Sequence, residues 1–299
     1  MSRALVVGAG GFVGRHLCAR LATAGWDVVA TVRPGAEQPA WDGADVVPVD
    51  VTDAAALTRA VEDAAPDVAF HLAASRVMAS TADRVATTAV NALSGAVLVE
   101  ALPLTCRAVV RLGSSTEYAA GAAPMDEQAP LQPRGLFGAT KAAGSLLLVA
   151  AAQEQGLRSA VLRAFQVYGP GDHDGRFVPV VLRAAREGTT LPLTAPGSRR
   201  DWVHVRDVVE ACLLAAVVDD LPGGTVLNVG TGVQTANEEL VAVAERVTGR
   251  RIRVDVGAHE GRSWDTGSWV CDPSAARAAL GWEPRTGLAE GLRDCWDAL

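Results

Sequence analysis

Ala4-Leu5-Val6-Val7-Gly8-Ala9-Gly10-Gly11-Phe12-Val13-Gly14 is the stretch that decides the fold. A short apolar run ends in glycines. A helical pattern then runs from Phe12 to Ala24 and stops at Gly25, and residues 27–32 are again apolar and β-branched. Strand, glycine turn, helix and strand in that order make a βαβ unit. Glycines at such a turn let the backbone approach a pyrophosphate, while the helix N-terminus supplies free N–H groups and a favourable dipole. The bland alternative is a tight turn that binds nothing, and the spacing is one residue off G-x-G-x-x-G. In its strand-to-helix context the loop predicts dinucleotide binding through Gly8, Gly11, Phe12, Val13 and Gly14.

The alternation continues outward from this unit. Residues 45–49, 68–72, 108–112 and 159–163 read as strands, and 53–64, 84–102 and 138–155 as helices. The strands are continuous apolar runs, the pattern of strands covered on both faces. The expected fold class is therefore α/β, a doubly wound parallel Rossmann sheet. Past residue 165 the loops lengthen and fill with Gly, Pro and Arg, as in Ala195-Pro196-Gly197-Ser198-Arg199-Arg200. The expected organisation is a dinucleotide-binding domain over 1–165 and a smaller, mainly substrate-binding C-terminal lobe over 166–299. The chain is free to cross between them more than once.

The net charge of −7 argues against a nucleic-acid partner, which needs a basic surface. Five scattered cysteines without a C-x-x-C point to reduced thiols, and five scattered histidines offer no metal-ligand spacing. The N-terminus does not read as a signal peptide, and no apolar stretch reads as long and continuous enough to span a membrane. The expectation is a cytoplasmic protein with no membrane partner and no metal.

An NAD site places an acid at the end of the second strand, where it bonds the ribose 2′-hydroxyl. Thr31-Val32-Arg33-Pro34 has no acid there. Arg33 suits a 2′-phosphate, which favours NADP(H) over the alternative, NAD(H).

Taken together the motifs resemble the extended short-chain dehydrogenase/reductase family, the nucleotide-sugar epimerases, dehydratases and ketoreductases. Gly8 to Gly14 looks like its cofactor loop, Asp50-Val51-Thr52-Asp53 like its adenine-contacting segment, and His71-Leu72-Ala73-Ala74 like the strand end beside the cofactor. The stretch from Leu162 to Pro170 resembles the one beside the nicotinamide and includes Phe165. Arg199 to Asp207 and Leu280-Gly281-Trp282-Glu283-Pro284 resemble C-terminal signatures. The resemblance implies a cofactor site that also uses Leu72, Ala73, Ala74 and Lys141. It implies a hydroxyl residue after a strand, best matched by Ser115, and a Tyr-x-x-x-Lys whose lysine is Lys141. Tyrosine is the acid or base at a hydroxyl or carbonyl in that scheme, and the lysine lowers its pKa.

Phe137 stands at the tyrosine position. Three accounts compete. The chain is a variant disabled to trap substrate, a natural enzyme whose proton partner is Ser115, Thr116, Tyr118, substrate or water, or a non-catalytic nucleotide binder. The resemblance also implies a nucleoside-diphosphate sugar as small-molecule partner, held by Arg76, Ser115, Gln166, Arg176, Phe177, Arg200 and Arg262. Bidentate arginine–phosphate pairing is the physical reason for such residues in an acidic protein. Family dehydratases carry Asp-Glu after the catalytic Thr, whereas Ser115 is followed by Thr116-Glu117. That argues against a dehydratase. Gly113-Ser114-Ser115-Thr116-Glu117-Tyr118 looks more like the corresponding segment of 4-keto-6-deoxy-sugar reductases, and Arg33 points the same way. The resemblance therefore implies an NADPH-dependent 4-ketoreductase acting on an NDP-4-keto-deoxyhexose, with an NAD-dependent 4-epimerase as the alternative. The family often dimerises through two helices per subunit, here 84–102 and 138–155, so a homodimer is expected.

Overall fold

The apolar runs found in the sequence become the strands of one seven-stranded sheet in the computed structural model, which describes residues 2–36, 41, 43–75, 83–121, 124–195, 197–258 and 267–299. Its strands are β1 (Arg3–Val7), β2 (Asp27–Val32), β3 (Ala44–Pro48), β4 (Val68–His71), β5 (Ala108–Ser114), β6 (Arg158–Ala164) and, later in the chain, β10 (Thr225–Val229). The spatial order is β10-β6-β5-β4-β1-β2-β3. The pairings of β1 with β2 and β4, of β2 with β3 and of β4 with β5 are all parallel. Strand order therefore reverses between β1 and β4, where an open α/β sheet has its ligand crevice.

Helices α1 (Phe12–Thr23), α2 (Ala54–Ala64), α3 (Arg84–Thr88), α4 (Ser94–Ala101) and α5 (Gly135–Glu154) make the crossovers. Leu57 and Val61 of α2, Leu98 and Val99 of α4 and Leu148 of α5 are fully buried with Leu5, Val7, Ala69 and Val109 of the sheet. Each of these leucine and valine side chains contributes roughly 1.5–3 kcal/mol on leaving water.

The chain folds into two units and crosses between them several times. The first holds residues 1–119, 130–163 and 209–227, the second 120–129, 164–208 and 228–299. In the second, β7 (Gln166–Tyr168), β9 (Arg199–His204) and β11 (Gln234–Ala236) form a three-stranded sheet, and β8 (Thr190–Leu193) pairs with β12 (Arg253–Val256). Helices α6 (Phe177–Glu187), α8 (Asn237–Thr248), α9 (Ser274–Leu280) and α10 (Leu288–Asp297) belong to it, while α7 (Val205–Val217) begins in it and ends in the first unit. Its core gathers Tyr168, Val181, Leu182, Leu191, Trp202, Leu240 and Leu292.

Three expectations change. The helix read over 84–102 is interrupted by a π-helical turn, Ala89–Leu93, between α3 and α4. The helix read over 138–155 starts at Gly135, so Phe137 lies inside its first turn. That helix, α5, is also 20 residues long and apolar enough to cross a membrane, contrary to the sequence expectation. Here it packs on β5 and α4 and buries eight residues, Lys141 among them.

Candidate active site

The glycine loop is shaped first by its own packing. Gly8 has φ +90°, and a Cβ there would lie 2.6 Å from the backbone nitrogen of Ala73. A Cβ on Gly14 would collide with the Gly8 carbonyl oxygen. These two glycines press the loop onto the residues that follow β4 and let α1 start close against the loop. Gly11 is the N-cap of α1, with no side-chain cap and no acid in the first turn. By contrast, Asp53 and Asp83 cap α2 and α3. The first N–H groups of α1 are thus free of side-chain caps, as an anionic ligand requires. Phe12 and Val13 begin the helix there, and the Leu72 N–H donates to the Val7 carbonyl at 2.8 Å. The uncapped N–H groups at the start of α1 fit a dinucleotide phosphate.

Arg33 follows β2 and is exposed. Its charge helps hold the Asp50 carboxyl below the ordinary value, after the larger effects of the Thr52 N–H at 2.9 Å and hydroxyl at 2.7 Å. Val51 follows on the same turn, and Ala74 on the segment after β4.

Ser115, Phe137 and Lys141 come from two elements in contact. Ser115 opens a single 3₁₀ turn, Ser115–Glu117, at the end of β5. Gly138 lets α5 approach that turn, since a Cβ there would collide with the Thr116 carbonyl oxygen. Phe137 lies one helical turn before Lys141, on the same side of α5. The Lys141 ammonium donates to the Leu112 carbonyl at 2.5 Å and is buried. Burial, then the Arg111 charge, push its pKa down to about 7 against the pull of Glu117.

Sequence inspection missed the polar layer beneath this group. Arg111 of β5 is fully buried. Its Nη1 bonds His71 Nδ1 at 2.9 Å and its Nη2 donates to the Asn91 carbonyl, in the π-helical turn, at 2.5 Å. Burial, and then Arg111 and Lys141, hold His71 well below its ordinary pKa, so its ring is neutral. Since a guanidinium only donates, Nδ1 accepts and Nε2 carries the proton. Nε2 donates to Ser94 Oγ at 2.8 Å, and Ser94 donates to the Val90 carbonyl at 2.7 Å. The Asn91 side chain accepts from the Ser75 N–H and donates to Thr140 Oγ1 at 2.9 Å, tying α5 to the segment after β4.

Glu117 is also fully buried. Oε1 accepts from the Ser114 N–H at 2.9 Å and Ser145 Oγ at 3.1 Å, and Oε2 from Arg163 Nε at 2.9 Å. Arg163 in turn donates to the Tyr118 hydroxyl at 3.0 Å and lies over its ring. Glu117 and Tyr118 are structural anchors of the turn that carries Ser115.

In the second unit the residues expected to hold substrate gather on β7, β9 and α6. Gln166 lies in register with Trp202, and Phe177 stacks on Trp202 with centroids 5.8 Å apart. Arg176 caps α6 and approaches Asp172 at 3.8 Å. Arg200 lies two residues before Trp202 and donates to the Arg199 carbonyl at 2.7 Å. Phe165 is buried, its N–H bonded to the Val229 carbonyl. Arg76 and Arg262 lie outside the described residues.

The NAD dependent epimerase/dehydratase family profile matches residues 4–230. The chain belongs to that family. This is the extended short-chain dehydrogenase/reductase kinship that the motifs resembled. Over 97% of this chain and 96% of the relative, it is 33% identical to a UDP-glucose 4-epimerase of Mycolicibacterium smegmatis. It is 30% identical to a dTDP-6-deoxy-L-talose 4-dehydrogenase (NAD(P)(+)) of Kitasatospora kifunensis, over 99% of this chain and 95% of that one. The structure of MoeE5 in complex with UDP-glucose and NAD aligns over 99% of this chain and 98% of that one, with a TM-score of 0.89 at 32% identity.

Proposed function

We propose that this protein transfers hydride at C4 of a nucleoside-diphosphate hexose, interconverting a 4-hydroxyl and a 4-keto sugar with a bound nicotinamide cofactor. The observation that carries this is the junction of Ser115, Phe137 and Lys141 at the end of β5, beside a strand-order reversal and an uncapped glycine-loop helix. When bound, the cofactor supplies the hydride. The chain's residues hold the sugar oxygen, place it and manage its proton. Elimination of water needs a free general base, and Glu117, the carboxylate nearest Ser115 in sequence, has both oxygens engaged, one of them by a buried arginine. That supports redox at C4 over dehydration.

Within this class the first reading is NADPH-dependent reduction of an NDP-4-keto-deoxyhexose, supported by Arg33 and the missing acid after β2. The 4-dehydrogenase relative acts at the same carbon by name. The second reading, NAD-dependent 4-epimerisation, is supported by the epimerase relative and the neighbour that holds UDP-glucose and NAD. Gln166, Arg176, Phe177 and Arg200 would bind the nucleoside diphosphate, with Arg76 and Arg262 as further candidates. A homodimer through α3–α4 and α5 is supported by Leu93, Leu146 and Leu147, which those segments leave exposed; sedimentation of the intact chain tests it.

The deciding experiment measures NADPH and NADH affinity in the parent and in Arg33→Ala, and identifies the nucleotide that co-purifies. A reductase loses about 1–3 kcal/mol of NADPH binding and little NADH binding in the variant. Equal losses, with tightly retained NAD, establish the epimerase instead. Calorimetry with UDP, TDP and GDP names the base. Binding of none of them ends the nucleotide-sugar reading.

A further inference from the structure

Two arginines stand beside the glycine loop, and the cofactor reading so far uses one of them. Arg33 follows β2. Arg15 directly follows Gly14 and is the fourth residue of α1. The backbone brings the two places together. The Gly8 N–H donates to the Thr31 hydroxyl at 3.2 Å, and the Ala9 N–H donates to the Thr31 carbonyl at 2.9 Å. The loop is thereby laid along the end of β2. Gly10 comes next against Val32: a Cβ on Gly10 would lie 3.5 Å from Val32 Cγ1, ordinary contact distance. Arg33 follows Val32 in the chain. From the other side Arg15 Nη2 reaches back to the Gly10 carbonyl at 3.3 Å. Gly10 therefore has one arginine on its carbonyl and the other one residue beyond its packing partner.

Both side chains are exposed, and among the described residues neither is in an ion pair. Carboxylates are not scarce, since the chain has 34 Asp and Glu against 27 Lys and Arg. Further along α1, Arg20 pairs with Glu210 at 2.5 Å, and Arg3 of β1 pairs with Asp27 at 3.0 Å. The charge of Arg33 reaches Asp50, but that carboxylate is taken by the Thr52 N–H and hydroxyl. Arg15 does nothing for its own helix either. The N-terminal end of a helix is electropositive, so a cation in that turn is unfavourable, and α1 has no acid in its first turn to offset it. Two planar cations at one place, with no protein anion between them, suit a phosphate monoester, whose oxygens accept from guanidinium forks.

We propose that Arg15 is a specificity-determining residue of the cofactor site, forming with Arg33 a two-armed clamp on the 2′-phosphate of NADP(H). The inference rests on the NADPH-dependent reading above and deepens it. The phosphate carries nearly two negative charges at neutral pH, which the two guanidinium groups balance. It also offsets the unfavourable cation at the start of α1. NAD(H) carries a hydroxyl at that carbon and gains little from either arm. The preference for NADP(H) therefore comes from two elements, the end of β2 and the start of α1.

The test uses the full chain without substrate and measures binding by calorimetry. The probes are NADPH and NADH, and the fragments 2′,5′-ADP and 5′-AMP, which differ only in the 2′-phosphate. The parent should bind 2′,5′-ADP at least about tenfold more tightly than 5′-AMP. Arg15→Ala should weaken 2′,5′-ADP and NADPH by about 10-fold or more and leave 5′-AMP and NADH nearly unchanged. The unfolding midpoint of the ligand-free variant should stay in place or rise, because a cation leaves the positive end of a helix. A lowered midpoint with equal losses for both cofactors would make Arg15 a prop of the glycine loop and overturn the proposal. An Arg15→Ala protein that binds 2′,5′-ADP as the parent does overturns it too. The two readings fail separately. A parent without preference for 2′,5′-ADP over 5′-AMP defeats the NADPH reading, and the clamp with it. A preference lost in Arg33→Ala but kept in Arg15→Ala defeats the clamp alone.

Discussion

Neighbouring strands β5 and β6 each bury an arginine, and the two are held in opposite ways. Arg163 meets the Glu117 carboxylate at 2.9 Å and the Tyr118 hydroxyl at 3.0 Å. Burial alone would lower its pKa, but Glu117 and Tyr118 outweigh burial and raise it. Among the described residues Arg111 is bonded to an imidazole nitrogen and a carbonyl oxygen and to no carboxylate, and burial pushes it down to about 10 despite Glu117. Both guanidinium groups remain charged at neutral pH. One has its charge cancelled where it stands, and the other projects its charge onto Lys141 and His71. A buried ion pair fixes local shape, whereas a buried cation without a counter-charge also sets the protonation of its neighbours.

The largest effect tests the cancelled side of this contrast. Glu117→Gln preserves the shape of the side chain but strands the Arg163 charge in the interior. Removing one member of a buried pair typically costs about 3–5 kcal/mol. Urea unfolding at pH 7 should show a loss of that order, together with loosening of the 114–118 turn. A loss below about 1 kcal/mol would mean that Arg163 is not the partner the geometry indicates.

The next effect tests the uncancelled side through Lys141. The ordinary lysine value, 10.5, lies above the folded value of about 7. Between those two pH values the unfolded chain binds one more proton than the folded chain, so stability rises with pH across that window. The cost of burying the ammonium is fully present below pH 7 and gone above about 10.5. Lys141→Met removes that cost at every pH. The variant should therefore be more stable than the cofactor-free parent at pH 6.5, by on the order of a few kcal/mol, with the gap closing towards pH 10. A gap that stays constant from pH 6.5 to 10 would show that Lys141 does not titrate in the folded chain within this range.

The sheet was legible in the sequence because covered parallel strands are nearly continuous apolar runs, as in residues 4–7 and 68–70. The glycine loop was legible for its turn. The close contacts that demand Gly8 and Gly14 were not, because they involve Ala73 and other backbone that sequence spacing does not reveal. Phe137, Lys141 and Ser115 were found by their places in motifs. Asn91 escaped because its importance comes from a π-helical turn, and an apolar helical pattern gives no sign of a single inserted residue. Arg111 and Arg163 are visible as charges inside Ala108–Ser114 and Arg158–Ala164, yet sequence cannot say which of them finds a carboxylate. The count of one lysine among 27 cationic residues was available from composition alone and singles out the same position as the fold.

The smallest expected effect is the sharpest test of the contrast. Arg111→Met keeps an unbranched side chain in the slot between Gly95 and Gly144 and removes the charge. Two consequences oppose each other. The Asn91 carbonyl and His71 Nδ1 lose their donor, and a buried acceptor left unpaired costs about 1–3 kcal/mol. Against that, the chain no longer buries a cation without a carboxylate, and replacing buried charge by apolar volume is often neutral or stabilising by about 1–4 kcal/mol. The net change at pH 7 should therefore fall within about 1 kcal/mol of zero, well below the loss expected for Glu117→Gln. His71 separates this balance from simple insensitivity. With Arg111 gone, one of the two charges that depress the imidazole is removed, so its pKa should rise towards 6.5 while burial keeps it below that value. A group whose folded pKa is depressed loses stability as pH falls through its unfolded pKa. The parent should thus weaken below about pH 6.5, and Arg111→Met should weaken less steeply over the same range. Identical acid limbs in the two proteins would show that the charge of Arg111 does not reach His71, and the distinction between the two arginines would then be one of hydrogen bonding alone.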